Sequence, residues 1–130
     1  SEAMQGLKQT QPMVDEFDQW FEPYLALANL PQNLGCPVGV IASEMSPSSE
    51  VVRKVAAESL QRWASAISEA MQGLKQTQPM VDEFDPMKVG HHMACSIQGA
   101  LLMGRTVQDA APIRETRDQL RLYLQSFRQG

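Results

Sequence analysis

An all-α fold, a helical bundle of about five helices, is what this sequence predicts, and three observations carry it. Apolar residues recur at three- and four-residue steps through most of the chain. Serine, aspartate and proline signals that start helices divide this pattern into segments of helical length. Short turn-forming runs separate the segments, and nothing between them reads as a strand.

The first segment runs from Val14 to about Asn29, with Phe17, Trp20, Phe21, Tyr24, Leu25 and Leu27 at helical steps. Pro23 lacks an amide hydrogen and crowds the preceding turn, so one interrupted helix is expected. Leu30-Pro31-Gln32-Asn33-Leu34-Gly35 is turn chemistry. Cys36-Pro37 then places proline where a first helical turn tolerates it, opening a short apolar helix over Val38 to Met45.

Ser46-Pro47-Ser48-Ser49-Glu50 starts a long third helix, since a serine oxygen can accept from orphan amides and Glu50 suits the positive end of the helix dipole. Its predicted buried face is Val52, Val55, Ala56, Leu60, Trp63, Ile67, Met71 and Leu74; Arg53, Lys54, Glu58, Gln61 and Arg62 hold the wet side. The helix should stop before Pro79. Asp85-Pro86 repeats the cap-plus-proline signal and opens a fourth helix to about Gln108, about 34 Å long at the standard rise. Ala111-Pro112 opens the last, in which Ile113, Thr116, Leu120, Tyr123 and Phe127 make a seam suited to another helix at a shallow angle.

Size and charge exclude several classes. The 130 residues, 43% of them apolar, suffice for one core and leave no room for a second full domain. A net charge of −4 gives no uniform basic field for a phosphate backbone. Cys36 and Cys95 stand far apart, so neither a disulfide framework nor a structural zinc knuckle is expected. No apolar run of spanning length and no leader with a cleavage site is present, which leads to the expectation of a soluble cytoplasmic protein without membrane contact.

Residues 1–18 and 68–85 are the same eighteen residues, SEAMQGLKQTQPMVDEFD, without one change. Solenoid repeats come in several imperfect copies, so this pair has another origin: a very recent duplication, a gene-assembly scar, or a sequence assigned to an ill-defined stretch. The copy at 68–85 runs smoothly into its neighbours and reads as native, and the copy at 1–18 as a displaced duplicate able to compete for the same groove.

The fourth helix mixes small residues (Gly90, Ala94, Ser96, Gly99, Ala100, Gly104) with Ile97, Leu101, Leu102 and Met103 and has few polar sides. Three glycines within one helix cost about 1 kcal/mol each relative to alanine, a cost that close helix approach at a subunit interface would offset. The predicted partner is a second copy, joined as a two-fold four-helix bundle through the last two helices. Candidate interface residues are Ile97, Gly99, Ala100, Leu101, Gly104, Ile113, Thr116, Leu120, Tyr123 and Phe127. Packing of both helices inside a monomeric bundle is the competing reading.

The run from Gly35 through Cys36, Pro37, Val38 and Gly39 to Met45, then Ser46-Pro47, a long helix with Arg62-Trp63, and the segment from Ile97 to Arg105 resemble the C-terminal half of TetR-family regulators, in their order and spacing. The likeness covers roughly residues 14–127 and is nearest the LmrA- and YxaF-like repressors. It implies an effector-binding and dimerisation domain over 14–130, a small-molecule effector held between helices, and a homodimer formed by the last two helices. Family members also carry an N-terminal three-helix DNA-binding domain. No such helix-turn-helix occurs here, so DNA would be reached only through that missing domain.

The resemblance further implies a pocket between the first, third and fourth helices, lined mostly by apolar side chains. The candidates are Trp20, Tyr24, Met45, Trp63, Ile67, Met71, His92 and Met93. Singly, each is the kind of residue that fills a core; they are candidates as a set.

His91 and Cys95 lie one turn apart and could share a soft divalent ion, but with only Cys36 besides them no closed coordination shell results, so neither metal nor cofactor is expected. There is no phosphate-binding glycine loop, no G-x-S-x-G elbow and no catalytic acid pair, and no enzyme is expected. Asp82-Glu83-Asp85 and Asp15-Glu16-Asp18 are one repeat twice, read as solvated helix-end charge. Against the sensor module stands a purely structural helical homodimer or truncated fragment that binds nothing.

Overall fold

The computed structural model describes residues 16–30 and 35–129, which form five α-helices. The Val14 start of the first helix, most of the first repeat copy and residues 31–34 of the predicted turn lie outside the described residues. Helix α1 spans Phe17–Ala28, α2 Pro37–Met45, α3 Glu50–Thr77, α4 Pro86–Val107 and α5 Ala111–Gln125. The extensive α3–α4 contact is the spine. Helix α2 leans on α3, α5 on α4, and α1 bridges α5 and α4.

Helix starts follow the chemistry expected of them. The Ser49 hydroxyl accepts from the Val52 amide at 3.2 Å to cap α3. One Asp85 carboxylate oxygen accepts from the amides of Met87 and Lys88, at 3.0 and 3.3 Å, with Pro86 in the first turn of α4. Helix α4 ends on Gln108 in the left-handed region at φ 54°. Pro23 corrects one expectation, because α1 is continuous through it. The lost hydrogen bond falls on the solvent side, where Pro23 and Gln19 are both exposed and water can serve the carbonyl.

The core gathers Phe17, Trp20 and Phe21 of α1, Ile67, Met71 and Leu74 of α3, Val89, Met93 and Ile97 of α4, and Ile113, Leu120 and Leu124 of α5. Val55 is a correction: it is 58% exposed. The seam that α3 buries or half-buries runs Val52, Ala56, Leu60, Trp63, Ile67, Met71, Leu74, and Val55 lies about 100° round the helix from Ala56, off that seam. The glycines of α4 divide differently from expectation. Gly90 serves contact within the chain: a Cβ there would stand 2.7 Å from the Ser68 Cα, so α3 and α4 meet backbone to backbone. A Cβ at Gly99 would meet no neighbour within 4 Å among the described residues.

The dipeptide Phe-Asp closes both repeat copies and does different work in each. Phe17 opens α1 and Phe84 precedes α4, each buried. Asp18 pairs with Arg121 of α5, whereas Asp85 caps α4. Beyond α5 the chain end is tied down, with the Val81 amide donating to the Phe127 carbonyl at 2.8 Å and the Gln129 amide to that of Pro79 at 3.0 Å. Phe127 therefore lies past the helix whose seam it was expected to extend, stacked edge-on against Phe84 and Tyr123. No helix among the described residues is long and apolar enough to cross a membrane.

Candidate effector site and helix-pair groove

Helix α1 presents Trp20 and Tyr24 one turn apart, and α3 brings Trp63 to meet them. The Trp63 indole donates to the Tyr24 hydroxyl at 3.0 Å, with the rings edge-to-face and their centroids 6.0 Å apart. Tyr24 stands 5.8 Å from Trp20 and 5.4 Å from Phe21, and Trp20 5.6 Å from Phe17, so five rings make one cluster. Ile67, Met71 and Met93 are fully enclosed in the core behind it.

The cluster holds two polar features. Trp20 is 2% exposed, and its indole nitrogen has no hydrogen-bond partner among the described residues. Burial pushes the Tyr24 phenol above the usual tyrosine value; the bond from Trp63 opposes the rise and the nearby Cys36 thiol adds to it. The phenol is accordingly neutral at physiological pH.

Six of the eight candidate lining residues are thus gathered on one core: Trp20, Tyr24, Trp63, Ile67, Met71 and Met93. Two stand elsewhere. Met45, at the end of α2, is 47% exposed. His92 is exposed on α4, edge-on to Tyr123 of α5 with centroids 5.0 Å apart.

His92 belongs instead to an open groove of about 580 Å³ between α4 and α5. Its walls carry His92, Ser96 and Met103 from α4 and Thr116, Gln119 and Tyr123 from α5. Among the interface candidates, Ala100, Thr116, Leu120 and Tyr123 border this groove. Ile97, Leu101, Gly104 and Ile113 are buried within the chain's own core, and Phe127 is half-buried. Ser96, Met103 and Gln119 were not among the candidate interface residues, although His92, Ser96, Ala100 and Met103 keep the spacing of a helix face.

A smaller cleft, about 230 Å³, opens where the start of α2 crosses α4. Cys36 and Gly39 line it from one side and Gln98, Gly99, Leu102 and Arg105 from the other. At its rim Arg105 pairs with Glu44 of α2 at 3.0 Å. Of these residues only Gly99 was a site candidate from the sequence, as part of the interface set. His91 and Cys95 are exposed on α4, and no group of three His, Cys, Asp or Glu able to hold a metal occurs among the described residues.

The chain's all-helical build, with its aromatic cluster and its open α4–α5 groove, fits the C-terminal domain of a TetR-type transcriptional regulator. The chain belongs to the family described as transcriptional regulator LmrA/YxaF-like, C-terminal domain, whose model matches residues 15–119. No curated protein and no solved structure matches the chain.

Proposed function

We propose that this domain binds a small, largely apolar effector at the aromatic cluster and pairs with a second copy through α4 and α5. In an intact cytoplasmic repressor, binding then controls the grip on DNA, through a DNA-reading domain that residues 16–129 do not supply, and the role is regulatory, with no catalysis. The observation that carries the effector is the Trp20 indole, a buried donor without an acceptor among the described residues. Such a group costs about 1–3 kcal/mol when left unpaired, and an effector bearing an oxygen acceptor would recover that cost. The α4–α5 groove supports pairing, since a mostly apolar channel with Ser96, Thr116 and Gln119 along it suits the same two helices of a second copy.

One observation favours the reading without a ligand: Ile67, Met71 and Met93 are already fully packed. Thermal melting against a panel of neutral aromatic ketones, with light scattering for mass, separates the two. A ligand that raises the melting temperature of wild type but not of Trp20→Phe supports the effector reading. A dimer that no panel member stabilises leaves the structural homodimer.

A further inference from the structure

We infer that the cleft between α2 and α4 is a second ligand site, for a short apolar chain ending in an anionic head, a small carboxylate in its simplest form, with Arg105 as the charge partner. This goes beyond effector binding at the aromatic cluster and does not depend on it.

Glycines shape the cleft. Gly35, at φ 73°, lets the chain lie against α4, where a Cβ would meet the Arg105 stem at 3.5 Å. At Gly39 a Cβ would stand 2.6 Å from the Gln98 amide oxygen, so the absence of a side chain there admits that amide to the wall. Gly99 is different, because a Cβ at that position would meet nothing within 4 Å among the described residues. A mid-helix glycine weakens its helix relative to alanine, and no close approach explains this one. What Gly99 does is keep open the space that a side chain would fill.

Chemistry selects the occupant. The floor is mostly apolar, and the charged side chain lining the cleft is a cation, Arg105. Its present partner, Glu44, is an exposed carboxylate, and an ion pair of that kind contributes little net stability. A ligand carboxylate can therefore replace Glu44 on the guanidinium in the same hydrogen-bonding geometry, with Gln98 available to a second oxygen. Allowing the ~30 Å³ that one water takes up in the liquid for each heavy atom, the cleft holds about eight of them. Hexanoate is that size. Taking Arg105 from Glu44 would also release the tie between α2 and α4, so binding here would loosen α2.

Calorimetric titration of the whole chain with hexanoate, 1-hexanol and hexylamine tests this. Hexanoate should bind about tenfold more tightly than 1-hexanol, and hexylamine should not bind. Arg105→Gln should bring hexanoate down to the level of the alcohol. Glu44→Gln should tighten hexanoate by removing its competitor. Gly99→Leu should abolish binding of hexanoate and hexanol without lowering the melting temperature; if it disturbs the fold, Leu102→Trp fills the same space from the next turn. Equal affinity for acid and alcohol, binding unchanged when the cleft is filled, or no binding of any probe at on the order of 10 mM each overturns the inference. None of these outcomes touches the Trp20-dependent response to neutral ligands, so the two readings fail separately.

Discussion

Trp63 of α3 donates its indole hydrogen to the phenol oxygen of Tyr24 on α1, at 3.0 Å, and this bond pins α1 to the side of the central helix pair. Tyr24→Phe keeps the ring packing and strands the Trp63 donor in a half-buried place. The expected loss is about 1 kcal/mol of folding stability. Urea unfolding of the two proteins checks it, and equal midpoints would mean that water replaces the phenol without cost.

The same phenol sets an alkaline limit. Its ionisation is shifted upward in the folded state, chiefly by burial, from the ordinary value of 10.0. The unfolded chain therefore loses this proton first as pH rises. The stability linked to Tyr24 is fully present below pH 10.0 and is lost as pH climbs through the raised folded value. Melting temperature from pH 8 to about 11 should fall less steeply for Tyr24→Phe than for wild type. Parallel curves would show that Tyr24 titrates alike in both states.

Two glycines of one helix should respond to alanine with opposite signs. Gly90→Ala drives a methyl against the Ser68 hydroxyl and to 2.7 Å from the Ser68 Cα, and backbone cannot step aside as a side-chain tip can. Overpacking of this kind costs about 1–3 kcal/mol, which exceeds the gain in helix propensity. Gly99→Ala meets open space and should gain about 1 kcal/mol. Thermal melts of the pair decide it, and a shared sign would contradict the close α3–α4 approach.

This contrast also marks what a sequence can and cannot tell. Helix boundaries were legible because their determinants are local: Ser49 and Asp85 accept from amides within a turn of themselves, and Pro86 and Pro112 sit in first turns, where their missing amide costs no helical bond. The seam of α3 was legible as a period, with Val55 misplaced because periodicity cannot say how wide a stripe its neighbours cover. Gly90 and Gly99 look alike in sequence; their difference is which helix stands opposite. The α2–α4 cleft was illegible for the same reason, since Gly39 and Gln98 become neighbours only once α2 crosses α4. The aromatic cluster lay between these cases: the candidates that followed the resemblance held three of its five rings, Trp20, Tyr24 and Trp63, and the fold supplied Phe17, Phe21 and the Tyr24–Trp63 bond.

The α4–α5 groove makes the last prediction, on assembly. If a second copy lies in it, Ser96 and Thr116 sit where two-fold related helices meet, and a charge at either would face its own copy across an apolar seam. Ser96→Glu with Thr116→Glu should convert dimer to monomer by light scattering while circular dichroism keeps the helical signal. Neither residue is in the core that holds the five helices, so the fold has no reason to fail. Val55→Glu, exposed on α3 away from the groove, should leave the mass unchanged. A double variant that stays dimeric would move the interface to another face, where exposed Met87 and Leu122 offer apolar surface outside the groove.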